Sequence, residues 1–321
     1  MSNFSIKSLA SGGVITNYYC VSCCGHCLYN CGPHREKGYL DERTAERVFQ
    51  HIVRLGCRSV HIGGGEPLLN VSKLINVLNI AYDVGVGIDY VETNSAWFID
   101  SEQAVSVLTK LQAAGVHTLL ISISPFHNAY VPFTRVMGVI DACRQTGMNV
   151  FPWVNAFVRD LSALDNHRPH TMEEFIKAYG SDYLERIAQR YWIHLGGRAL
   201  KTFRKVYPLY SIEEILAKSP LSCARSLMDT SHFHMDFNGN YIPGLCVGLA
   251  IDMEDLGHPL PSGKYSLLDR LAADGIRGLY ELAGQSYGYT PFKSTFLNHC
   301  DLCTDIRNFL IQIKTKQFYE L

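Results

Sequence analysis

The sequence contains no apolar run of the roughly eighteen residues that a membrane-spanning helix needs, so no span is expected. It has no excess of either charge. Lys and Arg number 29 and Asp and Glu 30, a formal net charge of -1. That balance excludes attraction to nucleic acid or to a membrane surface through global charge. The first residues, Met-Ser-Asn-Phe-Ser-Ile-Lys, lack the charged-then-apolar layout of a signal peptide. The expected location is therefore the cytoplasm. No low-complexity tract and no repeat beyond a strand–helix alternation organises the chain. What is present is material for a core: 47% of the residues are hydrophobic and 18% charged. A length of 321 residues suits two domains, or one barrel with an extension.

Cysteine is the residue in excess. There are eleven, an odd number, and in a reducing compartment clustered cysteines point to metal or redox chemistry rather than disulfides. Cys57 and Cys143 stand alone and read as buried structural thiols. The densest stretch is Cys20-Val-Ser-Cys-Cys24-Gly-His-Cys27. Cys20, Cys24 and Cys27 form a C-x3-C-x2-C triplet, a spacing that no other choice including Cys23 or Cys31 reproduces. Three such thiolates can grip three corners of a cubane iron–sulfur cluster and leave one iron open; a zinc knuckle or a ferredoxin-type site is the alternative.

The first 200 residues alternate between strand-like and helix-like segments. The strand candidates are Gly13–Tyr18, Ser59–Gly63, Ile88–Glu92, Thr118–Ser122, Asn149–Val154 and Tyr191–Leu195. They are short and rich in Val, Ile and aromatics, as parallel strands buried on both faces are. Between them lie amphipathic stretches at Asp41–Leu55, Leu68–Tyr82, Ser101–Ala114, Phe133–Thr146 and Thr171–Arg190, several with cap residues at their ends. The pattern is a parallel α/β architecture, open sheet or barrel, with chemistry expected at the carboxyl ends of the strands. Beyond Leu200 the pattern changes. Lys201–Ser219 reads as partly helical, and Asp236-Phe-Asn-Gly239-Asn between apolar runs is a hairpin signal. Leu267–Ala283 and Asp305–Lys314 read as helices.

Gly63-Gly-Gly-Glu66-Pro67 follows a predicted strand and opens a helix. Gly64 and Gly65 let a ligand approach the backbone, and Glu66 adds a buried charge that needs a positive partner. Thr93 and Asn94 at the end of the third strand, Ser122 and Ser124 at the fourth and Asn155 at the fifth offer hydroxyls and amides to a ribose or carboxylate. Arg198, in Gly196-Gly-Arg198-Ala, pairs with a carboxylate or, in the preferred reading, anchors the sheet end. His127, Trp97, Trp153, Arg159 and Asp160 fall near the same face and read as packing or surface groups.

The cysteine triplet resembles the cluster-binding signature of the radical S-adenosylmethionine (radical SAM) enzymes, although His26 stands where that signature usually carries an aromatic residue. Gly-Gly-Glu-Pro, about forty residues on, is similar to the family element that holds the amino group of S-adenosylmethionine. The resemblance covers roughly residues 10–200 and implies a partial (β/α)6 barrel, open at one side. It also implies a [4Fe–4S] cluster on Cys20, Cys24 and Cys27, and S-adenosylmethionine cleaved to a 5′-deoxyadenosyl radical that abstracts hydrogen from substrate. Family members often carry Ser-x-Asp where this chain has Ser122 and Ser124, which implies ribose contacts; Ser124 lacks the acid.

The second set, Cys223, Cys246, Cys300 and Cys303, resembles the SPASM or Twitch auxiliary-cluster domains, abbreviated. The implied arrangement is 1–200 as the barrel and 201–321 as a small α+β extension holding one auxiliary [4Fe–4S] cluster, with structural zinc as the alternative. Cys223 is either the fourth ligand or a free thiol that donates a hydrogen atom. The implied partners are a peptide or small-molecule substrate and an electron donor such as flavodoxin or ferredoxin. Peptide modification by epimerisation, crosslinking or oxidation is the leading reading. A small metabolite substrate, or a non-catalytic iron–sulfur electron carrier, is the alternative.

Overall fold

Gly12–Ile15 is a run of four residues, all buried, and forms β1 inside an eight-stranded sheet of order β5-β4-β3-β2-β1-β6-β7-β8. The structure is a computed structural model that describes residues 4–190 and 192–313. Ser59–Gly63 (β2), Gly87–Thr93 (β3), Thr118–Ile121 (β4) and Asn149–Pro152 (β5) follow on one side of β1, each parallel to its neighbour. Helices Glu42–Arg54, Val71–Val84, Ser101–Ala113 and Phe133–Thr146 cross between them. Their limits follow local chemistry. Asp41 caps the first by accepting from Thr44 N at 3.0 Å, and the last ends at Gly147 with φ 71°.

On the other side of β1 lies Phe233–Asp236 (β6), again parallel, with Gly12 to Ile15 in register with Phe233 to Asp236. The hairpin turn at Asp236–Asn240 leads into Asn240–Ile242 (β7), antiparallel, and then Ile251–Asp252 (β8). The sheet is open and does not close into a barrel. The expected sixth strand at Tyr191–Leu195 is not formed: residues 192–195 carry no strand, and Tyr191 lies outside the described residues. Trp192 is 67% exposed there, and β5 ends at Pro152, whose missing N–H suits a sheet edge. The parallel partner that the alternation called for comes instead from the C-terminal region.

Two helices differ from expectation. Thr171–Arg190 is two helices, Met172–Tyr179 and Tyr183–Arg190, broken at Gly180 with φ 109°; the Thr171–Glu174 capping box is present. The last helix, His299–Gln312, starts six residues before the expected Asp305, because Asn298 caps it by accepting from Asp301 N. Cys300 and Cys303 therefore sit in its first turn, three residues apart on one face. No helix among the described residues is long and apolar enough to cross a membrane.

Candidate active site

The loop after β1 and the loop after β2 are bonded to each other. Asn17 Oδ1 accepts from Gly65 N (2.8 Å) and Glu66 N (3.3 Å), and Asn17 Nδ2 donates to Glu66 O (3.2 Å). Gly65 N also donates to Asn17 O, and Glu66 N to Tyr19 O. A Cβ at Gly65 would stand 2.0 Å from Tyr19 O, so only glycine permits this approach. The glycines therefore serve the contact between the two loops as well as any ligand.

Glu66 is 1% exposed. Its Oε1 accepts from Thr93 Oγ1 (2.9 Å) and Leu68 N (3.2 Å), and its Oε2 from Asn94 N (2.6 Å). These donors are neutral. Burial outweighs them and pushes the carboxyl up to about 7. Thr93 is fixed in turn, accepting from Ser95 N and Trp97 Nε1. Asn94 also donates its side-chain amide to Cys20 Sγ at 3.4 Å, as does Ser22 N. One residue thus ties the buried carboxylate to the first thiol of the triplet.

Cys20, Cys24 and Cys27 line a cavity of about 380 Å³ together with Gly64, Gly65 and Glu66. Burial holds the Cys20 thiol up at about 12, the nearby Glu66 charge adding to it, and raises Cys24 as well. Cys31 lies in the same wall and hydrogen-bonds Cys27, which lowers Cys27 and raises itself. Cys23 is not in that wall; its Sγ lies against Gly32, where a Cβ would stand 2.9 Å away. Arg198 clamps the loop. Its Nε donates to Cys24 O (2.8 Å), Nη1 to Asn30 Oδ1 (2.9 Å), Nη2 to Cys31 O (2.6 Å), and its backbone N to Cys27 O (3.0 Å). It anchors the cysteine loop rather than the sheet end. His26 takes the aromatic place by stacking on Phe126 at 4.7 Å and 24°.

Of the remaining predicted residues, Thr93, Asn94 and Ser122 line the cavity. Ser124 caps the short helix Pro125–Asn128 and pairs with His127 Nδ1 at 2.8 Å, and it is outside the cavity wall. Asn155 is exposed in a short helical turn and is likewise outside that wall. Among the wall residues that sequence reasoning passed over are Tyr29, Glu92, His232 and His234. Burial, with Glu66 close by, pushes Glu92 up to about 7, although 32% of its side chain is reachable from the cavity.

The second cysteine set also converges. Cys223, Cys246, Cys300 and Cys303 all line one smaller cavity of about 160 Å³. Cys223 precedes the turn Ala224–Leu227, and its N donates to Leu271 O at 3.0 Å. Cys246 follows two left-handed residues, Gly244 and Leu245, with φ 54° and 59°. Burial raises Cys223 to about 11, Cys300 to about 12, and Cys246 higher still, the neighbouring thiols adding to each. His194 and Leu245 line both cavities.

No protein-family model and no curated protein matches the chain. Solved structures do. SuiB of Streptococcus suis, bound to S-adenosylmethionine, is 13% identical over 75% of this chain and 61% of its own, with a TM-score of 0.36. AnSMEcpe with bound AdoMet is 11% identical over 95% of this chain and 98% of its own, at 0.46. HydG, a maturase of the [FeFe]-hydrogenase, is 16% identical over 44% of this chain and 34% of its own, at 0.35. These three are radical SAM enzymes. The likeness is distant and concerns fold, and the chain spans less than two thirds of SuiB and HydG.

Those residues fit the implied groups. Thiolates on a single zinc ion sit about 3.8 Å apart, the edge of a tetrahedron with 2.3 Å bonds. Among the described residues neither cysteine set brings three sulfurs within 4.8 Å of one another. Three thiols of one loop facing an open cavity, and four around a second, are donor sets that suit thiolate-bound iron–sulfur clusters. Glu66, buried among neutral donors beside the triplet, fits an ammonium group.

Proposed function

We propose that this chain is a radical SAM enzyme, with a [4Fe–4S] cluster on Cys20, Cys24 and Cys27 and S-adenosylmethionine on the open iron. The observation that carries the reading is Asn94, which bonds Glu66 through its backbone and Cys20 through its side chain. A cofactor that meets the cluster at one end and a carboxylate at the other has both partners in one wall. Once bound, cluster and cofactor supply a one-electron cleavage and a radical able to take hydrogen from an unactivated carbon. The chain contributes binding, orientation and shielding. Glu66 receives the amino group, Thr93 and Asn94 hold Glu66, Gly64 and Gly65 keep the backbone close, and Ser122 meets the ribose. Arg198 keeps the three thiols in one loop.

Cys223, Cys246, Cys300 and Cys303 hold an auxiliary [4Fe–4S] cluster. Cys223 is its fourth ligand rather than a hydrogen donor, because it lines the smaller cavity with the other three and not the larger one. The substrate class is a peptide. Phe151, Trp153 and Trp192 line the larger cavity and are 55%, 43% and 67% exposed, an aromatic rim suited to a large, partly apolar substrate. The donor is of the flavodoxin or ferredoxin type, the setting a reducing cytoplasm, and the division of labour falls near residue 200.

The deciding experiment is anaerobic. Reconstituted, reduced protein is mixed with S-adenosylmethionine and assayed for 5′-deoxyadenosine. Its formation by the native chain, and its loss in Cys24→Ala, is the expected result. Full iron loading with no deoxyadenosine returns the reading to an electron carrier.

A further inference from the structure

Outside the cysteine sets, one group of side chains among the described residues stands close enough to share an ion. The candidate ligand atoms of His61, His232 and His234 all lie within 4.8 Å of one another. Topology brings them together. His61 of β2 and His234 of β6 both stand in register with Gly13 of β1, one on each side. Strands two apart place facing residues about 9.6 Å from each other, too far for imidazoles to meet across a third side chain. Glycine removes that side chain: a Cβ at position 13 would lie 2.2 Å from His61 Nε2. The two rings meet above it, Nε2 to Nε2, at 3.1 Å. His232 is two residues before His234, in the turn that leads into β6. Its ring lies edge-on to His234 at 4.9 Å and stacked on His61 at 5.3 Å.

The surroundings suit ligands rather than packing. His61 and His234 are 4% and 7% exposed, so two polar rings occupy the sheet's interior face. Tyr29 OH is 2.8 Å from His234 Nδ1, which leaves Nε2 for the group's centre. An oxygen partner on the second ring nitrogen is how ligating imidazoles are oriented. Tyr90 stacks flat on His61 at 5.0 Å and 5°, and Glu92 Oε1 lies 4.0 Å from His61 Nε2 as a counter-charge.

We propose that His61, His232 and His234 bind one divalent transition-metal ion of the zinc type, with its fourth position open to the larger cavity. Zinc–nitrogen bonds of 2.0–2.1 Å put tetrahedral ligands about 3.3 Å apart. The 3.1 Å pair nearly meets that distance already, and the exposed His232 closes the third corner by rotation. Three imidazoles with one open position is the arrangement of zinc sites that engage a ligand rather than brace a fold. His232 and His234 line the cavity that holds Glu66, so the open position faces a molecule bound there. An oxygen donor, a carbonyl or carboxylate, is the ligand it takes. That anchoring role rests on the function proposed above; the binding of the ion does not.

The test uses the full chain with its thiol sites filled by anaerobic reconstitution, dialysed against zinc chloride and then metal-free buffer. Zinc per chain is counted by mass spectrometry, and its ligands are read by X-ray absorption. The native chain should keep about one zinc with nitrogen and oxygen at 2.0–2.1 Å. His232→Ala, at an exposed position, should lose it while the metal-free chain melts at the same temperature as the metal-free native chain; His61→Asn should lose it too. No zinc in the native chain, an unchanged count in His232→Ala, or sulfur ligands at about 2.3 Å would each overturn the site. The count needs no S-adenosylmethionine. A chain that keeps the histidine-bound zinc but makes no deoxyadenosine overturns the enzyme reading alone.

Discussion

The two cysteine regions differ in what surrounds the sulfur. In the first, the three thiols of the triplet, with Cys31 beside them, share a cavity wall with two carboxylates, Glu66 and Glu92, and the cavity, at about 380 Å³, has room for a further molecule. In the second, four thiols line about 160 Å³ with no carboxylate in the wall, and the buried Arg307 guanidinium donates to Val247 O beside them. Thiols with acids and space beside them suit the binding of a further molecule. A set of four in a small cavity is built to be complete. The two sites differ in the company each set keeps, since the thiols themselves are alike.

The comparison breaks most visibly at the triplet. Cys24→Ala should abolish deoxyadenosine formation and remove about four irons per chain, the content of one cubane. If Cys31→Ala or Cys23→Ala abolished it and Cys24→Ala did not, the ligands would be misassigned. Glu66→Gln comes next. It removes one charge-assisted bond to the cofactor's ammonium, about 1.5–3 kcal/mol, and should weaken binding roughly ten- to a hundredfold by calorimetry. An equal affinity would take Glu66 out of the site.

The same residue gives a pH signature without any cofactor. Its folded value of about 7 lies above the ordinary carboxylate value of 4.5. Between those two values the folded chain keeps a proton that the unfolded chain has released, so stability falls as pH rises from 4.5 to 7 and levels off above. Urea midpoints of the cluster-free chain should show this fall. Glu66→Gln should flatten it in part, leaving the share of Glu92, which is raised to about 7 in the same way.

Smaller effects sharpen the contrast. Arg198→Lys keeps the charge but not the fork that reaches Cys24 O, Asn30 Oδ1 and Cys31 O. Iron should fall at the first set and stay at the second, as spectra of the two clusters would report. Cys223→Ala should alter the auxiliary spectrum and iron count while deoxyadenosine still forms. Intact iron with a changed product would make Cys223 a hydrogen donor after all. If iron, spectrum and product all stayed the same, it would be an ordinary packed thiol.

Local signals were legible where the chemistry is local. Thr171 with Glu174, Gly147, and the turn at Asp236–Asn240 announce caps and a hairpin, and each is formed. The triplet stands out by its spacing and Glu66 by its glycine-rich turn, and the fold brings them to one cavity wall. Long-range placement was not. Residues 192–195 have strand composition but no neighbour to pair with, and β6 joins β1 through register that no window of sequence contains. His61 and His234 are 173 positions apart, and only the glycine between their strands makes them neighbours. Arg198 was noticed, but its target is three carbonyl and amide oxygens in a loop, contacts that leave no mark in composition.

The pairing of β1 with β6 also has a consequence in time. β1 leaves the ribosome ahead of its second neighbour, Phe233–Asp236, which follows roughly 220 residues later. At about 5–20 residues per second, synthesis takes about 10–45 s to supply it. Through that interval the nascent chain carries an uncapped strand of Gly-Gly-Val-Ile, an edge that other chains can add to. Yield in the cell is therefore set by how well that edge is shielded before its partner exists, and slower translation or fewer holding chaperones should lower it.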